Sequence, residues 1–420
     1  MKMLIKNIRQ LVQVRDVAPE RLSGPEMKIL PVIENAWLAI EDGIIADYGS
    51  MNDWPGISDW RDLEVVDADG RIVLPAWIDS HTHLVYAGSR EGEFVDRING
   101  LSYEDIAARG GGILNSSKRL AETGEEELYE SAMQRLMQLQ NMGTGAVEIK
   151  SGYGLTLETE LKILRVIRRL KSTTDLTIKS TFLGAHAFPL AYKENKQGYI
   201  DHLINEMLPA VAAEKLADYC DVFCERNYFS EEQTITILEA AKKHGMIPKV
   251  HANQLSRSGG VQAGVKVGAV SVDHLEYVDQ EEIAALRGSK TMATLLPGAQ
   301  WFLSLPHPPA RRMIDSGLAV AIASDYNPGS SPSGNLGLML SMACVQYNMT
   351  PEEAINAATI NAAYAMGISS ESGSISPGKI ANLIITEKIP GYAFIPYAFG
   401  MNVNAAVMIK GKIVSGTIGK

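Results

Sequence analysis

The stretch Leu74-Pro-Ala-Trp-Ile-Asp-Ser-His-Thr-His83 decides how the rest of the chain is read. It is an apolar strand whose last residues turn from packing to chemistry. Side chains alternate faces along a strand with period two, so His81 and His83 point together while Thr82 faces away. Two imidazoles projecting from one strand end form half of a metal site. The chain has only eight histidines with which to complete it.

Outward from this stretch, residues 71–376 alternate strands with helices. Strands are expected to end at or near His83, Lys150, His186, Cys224, His251, His274, Leu296 and Asp325. Between them lie helical runs such as Glu125 to Met142, Glu158 to Lys171, Ile204 to Ala217, Ser230 to His244, Val278 to Leu286 and Pro351 to Met366. Eight strands with interleaved helices predict an α/β fold of the (β/α)₈ barrel type. Residues 1–70 and 377–420 read instead as short strands and turns, among them Met3 to Ile5, Leu11 to Val14, Ala36 to Ile40 and the turn Glu41-Asp-Gly43. One small β-domain built from both chain ends is expected, because isolated hairpins are marginal. Gly110-Gly-Gly112 lacks the G-K-[ST] ending of a nucleotide loop and reads as a flexible or tightly turned lid.

In such barrels chemistry gathers at the carboxyl ends of the strands. Lys249-Val-His251 and Ser271-Val-Asp-His274 each carry an imidazole to the mouth. Ala319-Val-Ala-Ile-Ala-Ser-Asp325 ends an apolar run in a carboxylate, a costly place for a charge without a partner. His81, His83, His251 and Asp325 together offer three nitrogens and one oxygen. That donor set suits Zn²⁺ or Fe²⁺ better than Mg²⁺, and a metal with an open position makes water a nucleophile near neutral pH. His274 could serve as a ligand, as a ligand's partner or in proton transfer, and spacing leaves these roles open. His186, in Gly184-Ala-His-Ala-Phe-Pro189, is placed to donate to a substrate carbonyl. His202, His244 and His307 fall in helical or loop stretches and read as surface or structural residues.

The composition narrows the alternatives. At 420 residues, 46% apolar and 21% charged, the chain can bury a large core. A net charge of −10 argues against nucleic-acid partners. Cys220, Cys224 and Cys344 form no C-x-x-C, and the first two lie in an apolar run as expected of buried thiols. No G-x-S-x-G elbow and no dinucleotide fingerprint is present. No apolar run reaches 18 residues, so a spanning helix and a membrane partner are not expected, and a reducing cytoplasm is the simplest compartment.

Pro75-Ala-Trp-Ile-Asp79-Ser-His-Thr-His83, the later strand-end histidines and Ser324-Asp325 resemble the amidohydrolase superfamily. Within it, His81 to Arg90, Glu148-Ile-Lys-Ser-Gly-Tyr-Gly-Leu155, Thr181 to His186, Asp221-Val-Phe-Cys-Glu225 and Asp325-Tyr-Asn-Pro-Gly-Ser330 resemble the imidazolonepropionase family over essentially the whole chain. The resemblance implies a barrel with a small β-sandwich made from both chain ends, one Zn²⁺ or Fe ion per subunit and a homodimer. It implies hydrolysis of a ring C–N bond in 4-imidazolone-5-propanoate, giving N-formimino-L-glutamate. It maps the metal ligands onto His81, His83, His251 and Asp325, and the substrate side onto Arg90, Tyr103, Tyr153, His186, Asn327, Gly329 and Ser330. An arginine suits a propanoate tail, two tyrosines can flank a flat ring, and the N–H groups of Asn327-Pro-Gly-Ser330 suggest a carboxylate nest. Proton transfer then falls to His274 and Asp325.

Lys150 occupies the position of the lysine that bridges two metals in dinuclear superfamily members, and reads here as an ion-pairing group. There is one departure. Where many family members place an acid three residues after the fifth strand's histidine, this chain has His251-Ala-Asn-Gln254, and an amide takes no proton at working pH. Gln254 is therefore expected to position the ring. The alternatives are another mononuclear amidohydrolase acting on a carboxylate-bearing cyclic amide or amidine, and a cytosine- or guanine-type deaminase.

Overall fold

The computed structural model describes residues 2–57, 61–101, 105 and 111–418. Strand β1 (Lys2–Val12) absorbs both of the short strands expected at Met3 and Leu11, because a bulge between Ile5 and Ile8, with Asn7 at φ 56°, bends it without ending it. It pairs antiparallel with β2 (Val32–Glu41). Asp42 and Gly43 both take positive φ, as a tight hairpin requires, and return the chain as β3 (Ile44–Ser50). The two halves of β1 then pair in parallel with β4 (Leu63–Asp67) and β5 (Ile72–Pro75).

One residue, Ala76, separates β5 from the first barrel strand, β6 (Trp77–Thr82). The others follow as β7 (Thr144–Lys150), β8 (Thr177–Ala185), β9 (Tyr219–Cys224), β10 (Ile247–Ala252), β11 (Ser271–His274), β12 (Met292–Leu295) and β13 (Val320–Ile322). These eight strands are parallel and pair in chain order. Beyond β13 the barrel closes on β6 through Asp325 N donating to His81 O at 3.0 Å and His83 N donating to Tyr326 O at 2.9 Å. The strands are almost wholly buried, as a sheet covered on its outer face by helices demands. Cys220 and Cys224 are buried free thiols within and at the end of β9.

Helices lie where the periodicity places them, with two differences. The run expected from Ile204 to Ala217 is a π turn, Leu203–Met207, followed by Leu208–Ala213. Pro209 has no N–H to give the carbonyl four residues back, and the helix widens just before it. The run from Pro351 to Met366 is two helices, Pro351–Ala357 and Ile360–Ala365, because the Ala358 carbonyl turns out to accept from Ile78 N of β6 at 3.0 Å. Of the glycine run, Gly110 lies outside the described residues, whereas Gly112 turns at φ 76° into the helix Ile113–Glu122.

The chain then returns to the terminal sheet as β14 (Leu383–Thr386), β15 (Asn404–Ile409) and β16 (Lys412–Gly416), in the order β16-β15-β14-β5-β1-β2-β3, with β4 also on β1. The expected sandwich is thus one mixed sheet curled around its own core. Ile45 N donates to Lys379 O and Ala381 N to Gly43 O, so the β2–β3 hairpin meets the C-terminal strands. Inward residues of both chain ends, among them Ile5, Leu38, Leu383 and Met408, form this second core. Among the described residues, no helix is long and apolar enough to cross a membrane.

Candidate metal centre and cavity

His81 and His83, at the end of β6, both present Nε2 to Asp325 Oδ1, at 3.4 and 3.5 Å, and His251 Nε2 lies 3.4 Å from His83 Nε2. Donors at the corners of a tetrahedron around an ion about 2.1 Å away stand about 3.4 Å apart. All four side chains are buried. His81 Nε2 has no hydrogen-bond partner among the described residues. Burial, reinforced by Lys150 around His81 and by His186 around His83, holds both imidazoles well below their ordinary pKa, in the neutral form a metal needs. Burial raises the Asp325 carboxyl, the mark of an anion short of positive charge. His81, His83 and Asp325 fit a single cation, and His251 and His274 stand with His81 as a second, overlapping group within ligand reach.

The opposite nitrogens are held by carboxylates. His81 Nδ1 lies 2.6 Å from Asp273 Oδ2, and His251 Nδ1 lies 3.0 Å from Asp221 Oδ2. A carboxylate there fixes the tautomer and aims Nε2 at the ion. Behind them Lys150 Nζ donates to Asp221 at 2.8 Å and to Glu148 at 2.5 Å and stands 3.7 Å from Asp273, while Lys249 Nζ pairs with Glu148 and donates to Ser80 O at 3.1 Å. Burial opposes the charge on Lys150, but Asp221, Glu148 and Asp273 outweigh it and raise its pKa. Lys150 is thus a cation, paired as expected, and carries no free amine for a carbamate bridge. Sequence reasoning left Asp221, Asp273, Glu148 and Lys249 without roles; their signal was charge inside otherwise apolar strands.

A cavity of about 720 Å³ opens above the cluster and is lined by Arg90, Tyr153, His186, Gln254, His274, Asn327, Gly329 and Ser330 as well as by His83, His251 and Asp325. Tyr103 lies outside the described residues. His186 Nδ1 donates to Gly152 O at 3.0 Å, leaving Nε2 free of that bond, and its ring stacks on His83 at 5.3 Å. A Cβ on Gly152 would sit 2.9 Å from His186 Nδ1, so this approach needs glycine. Arg90 Nε donates to Ser116 Oγ at 2.8 Å, and its buried Nη2 has no partner among the described residues, a donor waiting for an acceptor. A side chain at Gly329 would collide with Arg90 Nη1, at 2.3 Å. The mouth is aromatic: Phe94 stacks on Phe302 at 5.3 Å, with Arg97 over Phe302 at 4.7 Å.

The carboxylate nest expected at Asn327-Pro-Gly-Ser330 is engaged internally. Asn327 Oδ1 accepts from Gly329 N and Ser330 N, both at 2.8 Å, and its Nδ2 donates to Asp325 O at 2.6 Å. Ser330 Oγ in turn donates to Asp325 Oδ2 at 3.1 Å. The loop therefore holds Asp325. Asp79 acts similarly from β6, accepting from Ser324 N at 3.0 Å and Oγ at 2.5 Å, and burial pushes its carboxyl up to about 7. His202 pairs with Glu206, His244 caps the helix Glu231–Lys243, and His307 packs near Tyr347, all away from the cluster.

Known proteins share this architecture. Residues 305–414 match the amidohydrolase family. The imidazolonepropionase of Flavobacterium johnsoniae is 58% identical over 411 residues, 98% of this chain and 99% of its own. That of Christiangramia forsetii is 56% identical over 414 residues, 99% of this chain and 100% of its own. A zinc-bound adenosine deaminase from Xanthomonas campestris has a similar fold, with a TM-score of 0.70 at 16% identity over 99% of this chain and 93% of that one.

Proposed function

The chain belongs to the imidazolonepropionase family of amidohydrolases, and from that premise we propose how its residues divide the work. The reaction is metal-dependent hydrolysis of a ring C–N bond of 4-imidazolone-5-propanoate, giving N-formimino-L-glutamate. The observation that carries this is the convergence of three imidazole nitrogens and one carboxylate oxygen at the floor of a cavity whose wall holds an unpaired arginine N–H.

His81, His83, His251 and Asp325 would hold one Zn²⁺ or Fe ion per subunit. The ion supplies Lewis acidity and makes water nucleophilic near neutral pH. Arg90 binds the propanoate and orients the ring, so remote binding energy reaches the reacting carbonyl. Tyr153 and His186 flank the ring, and neutral His186, whose Nδ1 proton goes to Gly152 O, presents Nε2 as an acceptor for a ring N–H. Asp325, steadied by Ser330 and the Asn327 loop, takes a proton from the attacking water. Oxygen adds to the ring carbonyl carbon, the C–N bond breaks, and the nitrogen keeps the electron pair and receives a proton from His274. Gln254 positions the ring through its amide. Tyr103 joins the substrate side on the family pattern alone.

The net charge of −10 supports a small-molecule substrate and no nucleic-acid partner. A cytoplasmic homodimer is part of the same reading. The reaction in ¹⁸O-labelled water tests it: one ¹⁸O is expected in the product carboxylate with no ammonia released, whereas ammonia release would favour a deaminase.

A further inference from the structure

β11 leaves the barrel through two successive non-glycine residues in the left-handed region, His274 at φ 91° and Leu275 at φ 70°. L residues take this conformation only where their surroundings impose it. Here Leu275 N donates to Ala252 O at 3.1 Å and Tyr277 N to Asn253 O at 3.0 Å, while Asn253 Nδ2 donates back to Tyr277 O at 3.0 Å. The neighbouring strand's exit thus clamps the turn, and what the turn delivers is Glu276.

The Glu276 side chain is 1% exposed, and among the described residues neither of its oxygens has a hydrogen-bond partner. His274 Nδ1 has none either, and it lies 3.7 Å from Glu276 Oε1. That distance is just beyond a hydrogen bond, and a displacement under 1 Å satisfies both groups at once. A buried carboxylate without a partner is strongly disfavoured, so this pair has a reason to close. His274 lines the cavity and Glu276 does not.

We propose that Glu276 is the positioning residue for His274, accepting the Nδ1 N–H and so turning Nε2 toward the substrate. The inference rests on the reading of His274 as the proton-transfer group. A histidine held in the wrong tautomer presents a proton where the reaction needs a lone pair, or the reverse.

Two measurements test it. In ¹⁵N-histidine spectra of the metal-loaded protein, His274 is expected to carry a proton on Nδ1, in the neutral ring and in the imidazolium that serves as the acid; a neutral ring protonated on Nε2 overturns the proposal without any variant. In kinetics, Glu276→Met is expected to lower kcat about 10- to 100-fold with KM nearly unchanged and one ion still bound per chain. Glu276→Gln, which keeps an acceptor, is expected to recover part of the loss. In a His274→Phe background Glu276→Met is expected to cost nothing more. A wild-type kcat in Glu276→Met beside a crippled His274→Phe, or an additive loss with metal shed, overturns the proposal. A wild-type rate in His274→Phe removes the His274 reading and this inference with it.

Discussion

Asp325 and His81 are joined twice: Asp325 N donates to His81 O at 3.0 Å, and Asp325 Oδ1 stands 3.4 Å from His81 Nε2. The backbone bond closes the barrel and the side-chain contact forms an edge of the metal cluster. Asp325 reaches both only at φ 53°, held there by Asn327 and Ser330. The barrel seam and the metal cluster therefore share the same pair of residues.

Removing the ion should accordingly loosen the seam. An ion present at 100 times its Kd stabilises the fold by about 2.7 kcal/mol. Chelation is expected to lower the Tm and to speed amide exchange at His83 and Asp325 before the middle of β8 or β9. Uniform exchange after chelation would contradict this coupling.

The carboxylates behind the histidines, Asp273 on His81 and Asp221 on His251, should tune metal affinity. Asp273→Asn and Asp221→Asn are each expected to weaken metal binding about 10- to 100-fold, measured by competition with a chromophoric chelator. Unchanged affinity in both would show that the ring orientations are fixed by packing alone.

Lys249 shares Glu148 with Lys150 under full burial. Removing one partner of a buried pair leaves charge uncompensated and costs about 3–5 kcal/mol. Lys249→Met is expected to lose stability on that scale in denaturant titration. A loss under about 1 kcal/mol would mean Lys150 alone satisfies Glu148.

Much of this was legible in the sequence and some was not. Strand ends were legible because apolar runs stop in residues such as His83, Lys150 and Asp325, and the metal donors because imidazoles at those ends have few other uses. The roles of Asp221 and Asp273 were not, because their partners are 30 and 192 residues away in sequence. The loop Asn327 to Ser330 misled for a local reason: from the sequence its N–H groups look free, whereas the asparagine side chain folds back to take them. The break at Ala358 was hidden because its acceptor role is to β6, the first barrel strand, far away in sequence.

Gln254 and His274 both line the cavity but differ in what they can do. His274→Phe is expected to cost about 10²–10⁴ in turnover, whereas Gln254→Glu should change the rate modestly. A collapse in the second with a near-normal first would reverse their roles.

Arg90 is the residue proposed to bind the substrate's acid, and among the described residues its buried Nη2 has no partner. Arg90→Met is expected to lower kcat/KM about 10- to 100-fold, the worth of a charged hydrogen bond, and to lose the preference for a substrate bearing a propanoate over one without it. An unchanged preference would place the carboxylate elsewhere.

The most direct measurement is turnover of freshly prepared 4-imidazolone-5-propanoate by metal-loaded protein, followed by mass spectrometry against the substrate's spontaneous decay. Rapid formation of N-formimino-L-glutamate, lost on chelation and restored by zinc or iron, is the expected result. A rate no higher than spontaneous decay, with one ion per chain confirmed, would contradict the assignment.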